Sequence, residues 1–215
     1  MPQPIAIVGG TGAEGFGLAL RFSRAGATVH IGSRDLAKAE AAAQRIRDSL
    51  PSAAVQGALN AGAVAAAQIV ILTVPLAAQV ATLESVRASF RPGAILVDAT
   101  VPIGATLEES AAQQAARHVP EGVAVVAAFQ SLDAKLLADL DRPTDTDVFV
   151  CGDNPEPKAA VRELIAMLPG ARAVDGGRLK NSKLVESLVA LLVSLNVRHK
   201  AKHAGVRITG LEPGF

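Results

Sequence analysis

Tyrosine and tryptophan are absent from the 215 residues, and phenylalanine occurs six times. Every mechanism that protonates a substrate from a tyrosine hydroxyl is therefore excluded. So sparse an aromatic content, with a formal net charge of +1 and no basic stripe, offers no platform for stacking bases, and nucleic acid is not expected as a partner. The single cysteine, Cys151, excludes an intrachain disulfide and a cysteine metal cluster and fits a reducing compartment. It closes the strand-like run VFVC, where a buried small hydrophobe is expected. Histidines number four, at His30, His118, His199 and His203. Only the last two have helical spacing, with neither an intervening acid nor a third ligand, so no metal site is expected and the pair reads as a solvated face near a helix end. Long apolar runs are lacking as well. The longest, 184–195, falls short of the ~20 residues of a membrane span and is broken by Glu186, Ser187 and Ser194. No basic and apolar leader precedes the first strand candidate, so a cytoplasmic location is expected.

What the chain does have is glycine in an informative place. Residues 5–15 read IAIVGGTGAEG, an apolar run feeding Gly10-x-Gly12-x-x-Gly15 and then a helix-like stretch at 16–24. In a strand–turn–helix of this kind Gly10 allows a tight turn, Gly12 admits a pyrophosphate close to the backbone, and Gly15 lets helix and strand pack closely, with free N–H groups at the helix start. A dinucleotide site is expected, the alternative being an ordinary glycine-rich turn. The next strand ends in Ser33-Arg34, where an NAD-binding fold carries an acid for the ribose hydroxyls. A hydroxyl and a guanidinium suit a 2′-phosphate instead, and Lys38 adds a second positive charge one helical turn on, so NADP(H) is favoured over NAD. Asp35 reads as the N-cap of a helix over 36–49.

Short apolar strands recur at 5–9, 28–32, 54–57, 69–74, 95–99 and 123–127, separated by alanine-rich helical stretches. Strands such as IVILTV are apolar throughout, as expected when helices cover both sheet faces. The fold class is thus α/β, a Rossmann-like doubly wound parallel sheet with a small C-terminal helical lobe. The expected division is an NADP-binding domain over 1–142 and a smaller lobe over 143–215. The lobe holds strands at 147–151 and 171–174, a helix at 156–167 and a long helix at 179–203. Leu184, Leu188, Leu191, Leu192 and Leu195 fall at helical spacing, with Val185, Val189 and Val193 widening the apolar face, so this helix is either lobe core or the interface of a homodimer.

The residue inventory narrows the chemistry. A short-chain dehydrogenase needs the missing tyrosine, and a zinc alcohol dehydrogenase needs ligands that one cysteine and scattered histidines do not supply. A β-hydroxyacid dehydrogenase carries Lys and Asn one helical turn apart on the helix after the nucleotide domain. Here Lys180-Asn181-Ser182-Lys183 makes them adjacent, and the segment equally reads as a helix start capped by Asn181 or Ser182. Hydride transfer between two bound carriers, which rests on positioning and water exclusion, remains natural.

Several segments in order, GGTGAEGFGLALRFSRAG, IGSRDLAKAE, VILTVP, DVFVCGD and LKNSKLVESL, make the chain similar to the NADPH-dependent reductases of the 5-deazaflavin coenzyme F420, over nearly its whole length except about 100–121. The resemblance implies an oxidoreductase passing hydride between NADPH and coenzyme F420 by direct ring-to-ring transfer. It also implies that Thr11, Gly12, Ala13 and Glu14 hold the pyrophosphate turn and that Ser33, Arg34 and Lys38 hold the 2′-phosphate. Val74 and Pro75 would border the nicotinamide, and Ala134 would approach its carboxamide through the backbone. Archaeal members flank the deazaflavin with a histidine and an isoleucine, where AAFQSLDAK here gives Gln130 and Leu132. Glutamine can hydrogen-bond a ring carbonyl but carries no positive charge beside the deazaflavin N1. The loop 100–106 is a further expected contact. Two alternatives stay open: reduction of a flavin or a small imine or keto acid involving Lys183, and a non-enzymatic NADP-binding sensor or subunit.

Overall fold

Six parallel strands occupy the centre of the computed structural model, which describes residues 3–104 and 108–211: β1 (Ile5–Val8), β2 (Val29–Ser33), β3 (Val55–Leu59), β4 (Ile69–Leu72), β5 (Ile95–Asp98) and β6 (Ala124–Ala127). With β7 (Thr146–Gly152) and β8 (Ala171–Gly177) the sheet order is β3-β2-β1-β4-β5-β6-β7-β8. Every residue of β1 is buried, Ile5 and Ile7 toward one face and Ala6 and Val8 toward the other. That is why the strand reads apolar without alternation. The first face is covered by α1 (Ala13–Arg24), α2 (Leu36–Ser49) and α7 (Pro155–Ala166) through Leu18, Phe22, Ile46 and Ile165. The second is covered by α3 (Asn60–Ala65), α4 (Leu76–Val86) and α5 (Ala111–Ala116) through Val64, Leu83, Val86 and Ala115. The chain is therefore a Rossmann-like α/β protein. Asp35 caps α2 as its sequence suggests, its Oδ1 accepting the Lys38 N–H at 3.3 Å.

The sheet departs from the all-parallel reading at β7, which runs antiparallel to β6. A parallel crossover needs a dozen or more residues with a covering helix. The connection here offers only the five-residue α6 (Ala134–Ala138), which packs against α1 instead. The expected division near residue 142 falls in this connection, beyond which the chain adds β7 and β8 to the same sheet. Asp147 of β7, fully buried, anchors the C-terminal tail: Arg172 grips it with two bonds of 2.8 and 2.7 Å, and Arg207 and the Ile208 N–H complete the set. Burial alone would raise this carboxyl, but the donors from Arg172, Ile208 and Arg207 outweigh it and hold its pKa below the usual range.

The last helix is shorter than the sequence suggests. After a 3-10 turn at Leu179–Asn181, α8 spans Ser182–His199 and ends at Lys200 in the left-handed region (φ 51°). The tail then turns back, the Ala204 N–H bonding the Asn196 side chain. His203 thus leaves the helix and pairs through Nδ1 with Asp133 at 2.9 Å, so it shares no solvated face with His199. Neither Asn181 nor Ser182 caps α8 with its side chain, for Asn181 donates to the Gly176 carbonyl and the Ser182 hydroxyl is sealed without a partner among the described residues. The buried side of α8 is Val185, Glu186, Val189 and Leu192, while Leu184 and Leu191 are 71% and 54% exposed and Leu188 and Leu195 half-buried, so the predicted leucine stripe is split between the two sides. Cys151 is buried as expected, and burial pushes its thiol up to about 11. Among the described residues no helix is long and apolar enough to cross a membrane, and no group of three or more His, Cys, Asp or Glu is placed to hold a metal ion.

Candidate active site

The direction in which strands are added reverses between β1 and β4, and an open α/β sheet binds ligands outside the strand carboxyl ends at such a switch point. The glycine turn sits there. Its left-handed residue is Gly9 (φ +82°), one position before the expected Gly10, and a Cβ on Gly9 would meet Val74 Cγ1 at 2.9 Å. Gly15 is needed for closeness, since a Cβ would lie 2.5 Å from Thr73 Oγ1 and 2.8 Å from Gly10 Cα. Gly12 is the N-cap of α1 with extended backbone and no side-chain cap, which leaves the first-turn N–H groups for an external acceptor.

A cleft of about 260 Å³ opens over this turn. It brings together Gly9, Thr11 and Gly12 from the turn, Ser33, Arg34, Asp35 and Lys38 from the end of β2, and Thr73, Val74 and Pro75 from the end of β4. Arg34 and Lys38 are exposed, whereas Ser33 is buried and its Oγ accepts the Asp35 N–H. Asn60, Ala78 and Thr82 complete the wall and were not legible as site residues. Asn60 immediately follows β3, and its buried Oδ1 has no partner among the described residues, an acceptor left over within a wall that already holds hydroxyls and cations. The only signal for it in the sequence is a polar residue at the carboxyl end of a strand in a βα rhythm. These groups fit an NADP molecule: backbone donors at the helix start for pyrophosphate, two cations and a hydroxyl for a 2′-phosphate, and close approach licensed by glycine.

The remaining expected residues surround the cleft rather than form its wall. Gly10 lies beneath the turn, where a Cβ would sit 2.9 Å from the Ile7 carbonyl. Ala13, Glu14 and Gly15 open α1. Gln130 is buried and donates from Nε2 to the Asp98 carbonyl at 3.2 Å, and Leu132 packs in the core beneath it. Phe129, just before, takes a positive φ of 76°, uncommon for a bulky residue, and packs edge-on to Phe22 of α1. Ala134 begins α6, whose start is capped by Asp133 accepting the Lys135 and Leu136 N–H groups. Of the loop 100–106, Ala105 and Thr106 lie outside the described residues. Thr100 is buried and donates to Asp98 Oδ1 at 2.8 Å. Lys183 is exposed and donates to the Glu108 carbonyl at 2.6 Å.

Behind the cleft lies a buried polar network that sequence reading missed. Asp98, ending β5, is fully buried, and its Oδ1 accepts Gln79 Nε2 of α4 at 3.1 Å as well as Thr100. Gln79 also donates to the Ala111 carbonyl and accepts Gln114 Nε2. Glu186 of α8 accepts the Ala111 N–H at 2.9 Å. Burial pushes Glu14 up to about 8, with the Asp98 charge adding to it. Burial likewise raises Asp98 to about 6 against the donors Thr100 and Gln79, and Glu186 to about 7. An acid closing an apolar strand, as in ILVD, was the available signal.

The family pattern described as NADP oxidoreductase, coenzyme F420-dependent, matches residues 4–102. An F420-dependent NADP reductase of Methanothermobacter thermautotrophicus is 42% identical over 228 residues, covering 98% of this chain and 97% of that protein. A solved structure from Arthrobacter sp. FB24, whose assignment as an F420-dependent NADP reductase is provisional, superposes with a TM-score of 0.81 at 28% identity, covering 95% of this chain and 98% of that one. A 3-hydroxyisobutyrate dehydrogenase of Mycobacterium tuberculosis reaches a TM-score of 0.65 at 20% identity, covering 94% of this chain and 67% of that one, a likeness of fold alone.

Proposed function

The chain belongs to the F420-dependent NADP reductase family, and from that premise we propose that it transfers a hydride between NADPH and the deazaflavin coenzyme F420, ring against ring. The observation that carries the reading is the cleft at the switch point, where an uncapped helix start and the Ser33, Arg34 and Lys38 cluster converge from two strand ends. The nicotinamide supplies the hydride at C4, and the deazaflavin receives it at C5. The protein's part is to bind and orient. The first-turn N–H groups of α1 hold the pyrophosphate, and Arg34 and Lys38 select the 2′-phosphate. Val74, fixed against Gly9, and Pro75 border the nicotinamide, while the segment from Gln130 to Ala134 lines the place of the second ring. Holding two reacting carbons in contact and away from water provides the rate enhancement without a covalent intermediate. Mixing the protein with NADPH and oxidised F420 should bleach the deazaflavin absorbance catalytically. No turnover at saturating NADPH rejects the acceptor.

Exposed Leu184, Leu191, Val193 and Val197 on α8 support a homodimer built on this helix. Light scattering on a Leu184→Lys/Leu191→Lys variant should give half the mass of the unaltered protein, and a monomeric unaltered protein refutes the assembly.

A further inference from the structure

Two carboxyls on the elements either side of β4 each keep a buried oxygen that has no hydrogen-bond partner among the described residues. Glu14 comes from the first turn of α1, after β1, and Asp98 ends β5, and these are the strands that flank β4 in the sheet. The charge of Asp98 acts on Glu14, and the strand between them ends in Thr73, Val74 and Pro75, which line the cleft. Asp98 Oδ2 and Glu14 Oε1 are both sealed from solvent with no partner among the described residues, although Asp98 Oδ1 has two donors. A buried, unpartnered carboxylate oxygen is costly, and two facing carboxylates cannot both ionise cheaply; retaining one proton relieves both problems.

We infer that Glu14 and Asp98 are a proton-holding pair beneath the nicotinamide, which keeps one proton while that ring is neutral and releases it when the ring becomes cationic. The inference rests on the reading that Val74 and Pro75 border the nicotinamide. The balance of the reaction calls for such a proton. The C4–H bond of NADPH breaks with both electrons, the C5–H bond of the deazaflavin forms, and the reduced deazaflavin takes one further proton at N1. The nicotinamide gains a positive charge in the same step. When the O–H bond of the pair breaks, its proton meets that demand and the carboxylate left behind faces the new cation. Solvent then reprotonates the pair for the next turnover. Gln130 has no ionisable proton to supply, and it bonds directly to the backbone of Asp98.

The groups facing the pair agree with this role. Gln79 from α4 and Thr100 after β5 donate to Asp98 and keep its carboxylate form accessible, so the proton resides on Glu14. Glu186 from α8 is a further acid near the pair, raised first by burial and also by the Asp98 charge, with Lys183 opposing. Around neutral pH the pair thus holds a single proton, and a positive charge above it lowers the affinity for that proton.

The test reads protons directly and needs no deazaflavin. Binding of NADP+ and of NADPH is followed by titration calorimetry at pH 7 in buffers of different ionisation enthalpy. Both nucleotides carry the same 2′-phosphate, so the difference between them isolates the nicotinamide charge. NADP+ should release about half a proton or more beyond NADPH in the unaltered protein, and close to none in Glu14→Gln, an isosteric change at a half-buried position that keeps the fold. Asp98→Asn should lower the Glu14 pKa and reduce the release. In steady-state reduction of F420, Glu14→Gln should lower kcat at least tenfold with little change in KM for NADPH, a split that a purely structural role would not produce. Equal proton release for both nucleotides, or release unchanged in both variants, overturns the pair's role. Proton release without F420 turnover instead removes the acceptor assignment and leaves the pair standing.

Discussion

Replacing Arg34 and Lys38 together by alanine should weaken NADPH binding about 100-fold while NADH binding changes by less than about threefold. Both side chains are exposed at the end of β2 and the start of α2, in the wall of the cleft. A charge-assisted bond to phosphate contributes about 1.5 to 3 kcal/mol in a sheltered site, and solvent screening keeps each of these near the low end, or about tenfold apiece. The nucleotide without the phosphate lacks the partner and therefore feels little. Ser33 remains in the double variant, so residual selectivity of a few-fold persists. Fluorescence titration with both nucleotides at two salt concentrations checks this, because the phosphate contribution in the unaltered protein should shrink as salt rises while the variant's affinity barely responds. Parallel losses for NADPH and NADH would show that the two cations hold something other than the 2′-phosphate.

The parts of the molecule that were legible in the sequence are those where one local rule suffices. Short, largely apolar runs marked β1, β2, β4, β5 and β6, and Asp35 announced the start of α2 through its own side chain. The cleft's glycine turn and the Ser33-Arg34-Lys38 cluster were readable for the same reason, since they lie within 30 residues and each sits at a strand end. What failed to show was set by distant contacts. The direction of β7 depends on α6 being engaged by α1, and the end of α8 depends on a tail that returns to Thr146 and Asp147. Which side of α8 is buried could not be read, because both sides of that helix are apolar and the placement of Glu186 on the Ala111 N–H decides between them. Asn60 and Asp98 were invisible as site residues for a related reason: each is a lone polar group whose meaning comes from strands that sequence places far apart.

Arg21 is the strongest case of such a distant contact, and Arg21→Met should lower stability by about 3 to 5 kcal/mol. It lies on α1 and is 3% exposed. Its guanidinium reaches across to the end of α6, where Nε donates to the Leu137 carbonyl at 2.9 Å and Nη2 to those of Leu136, Asp139 and Arg142 at 2.6, 2.6 and 2.8 Å. Burial lowers its pKa, with Asp139 opposing the shift, yet arginine stays charged throughout the accessible range. The last carbonyls of a helix have no intrahelical partners, so this side chain acts as the C-terminal cap of a five-residue helix that could not persist alone. Methionine keeps the apolar stem and removes these donors; the Leu136 and Asp139 carbonyls keep the Asp139 and Arg142 N–H groups, whereas those of Leu137 and Arg142 each lose a bond at a cost of about 1 to 3 kcal/mol. For a chain of this size the loss corresponds to a drop in Tm of roughly 10 °C. Because α6 also starts with Ala134 and follows Gln130, the same variant should bind the second carrier more weakly even where it is folded. Arg24→Met, an exposed neighbour on the same helix, is the control and should shift Tm by no more than about 2 °C. A melting curve for Arg21→Met that overlays the control would mean that α6 is held by its packing on α1 alone, with Gly17 beneath Leu137 as the contact that matters.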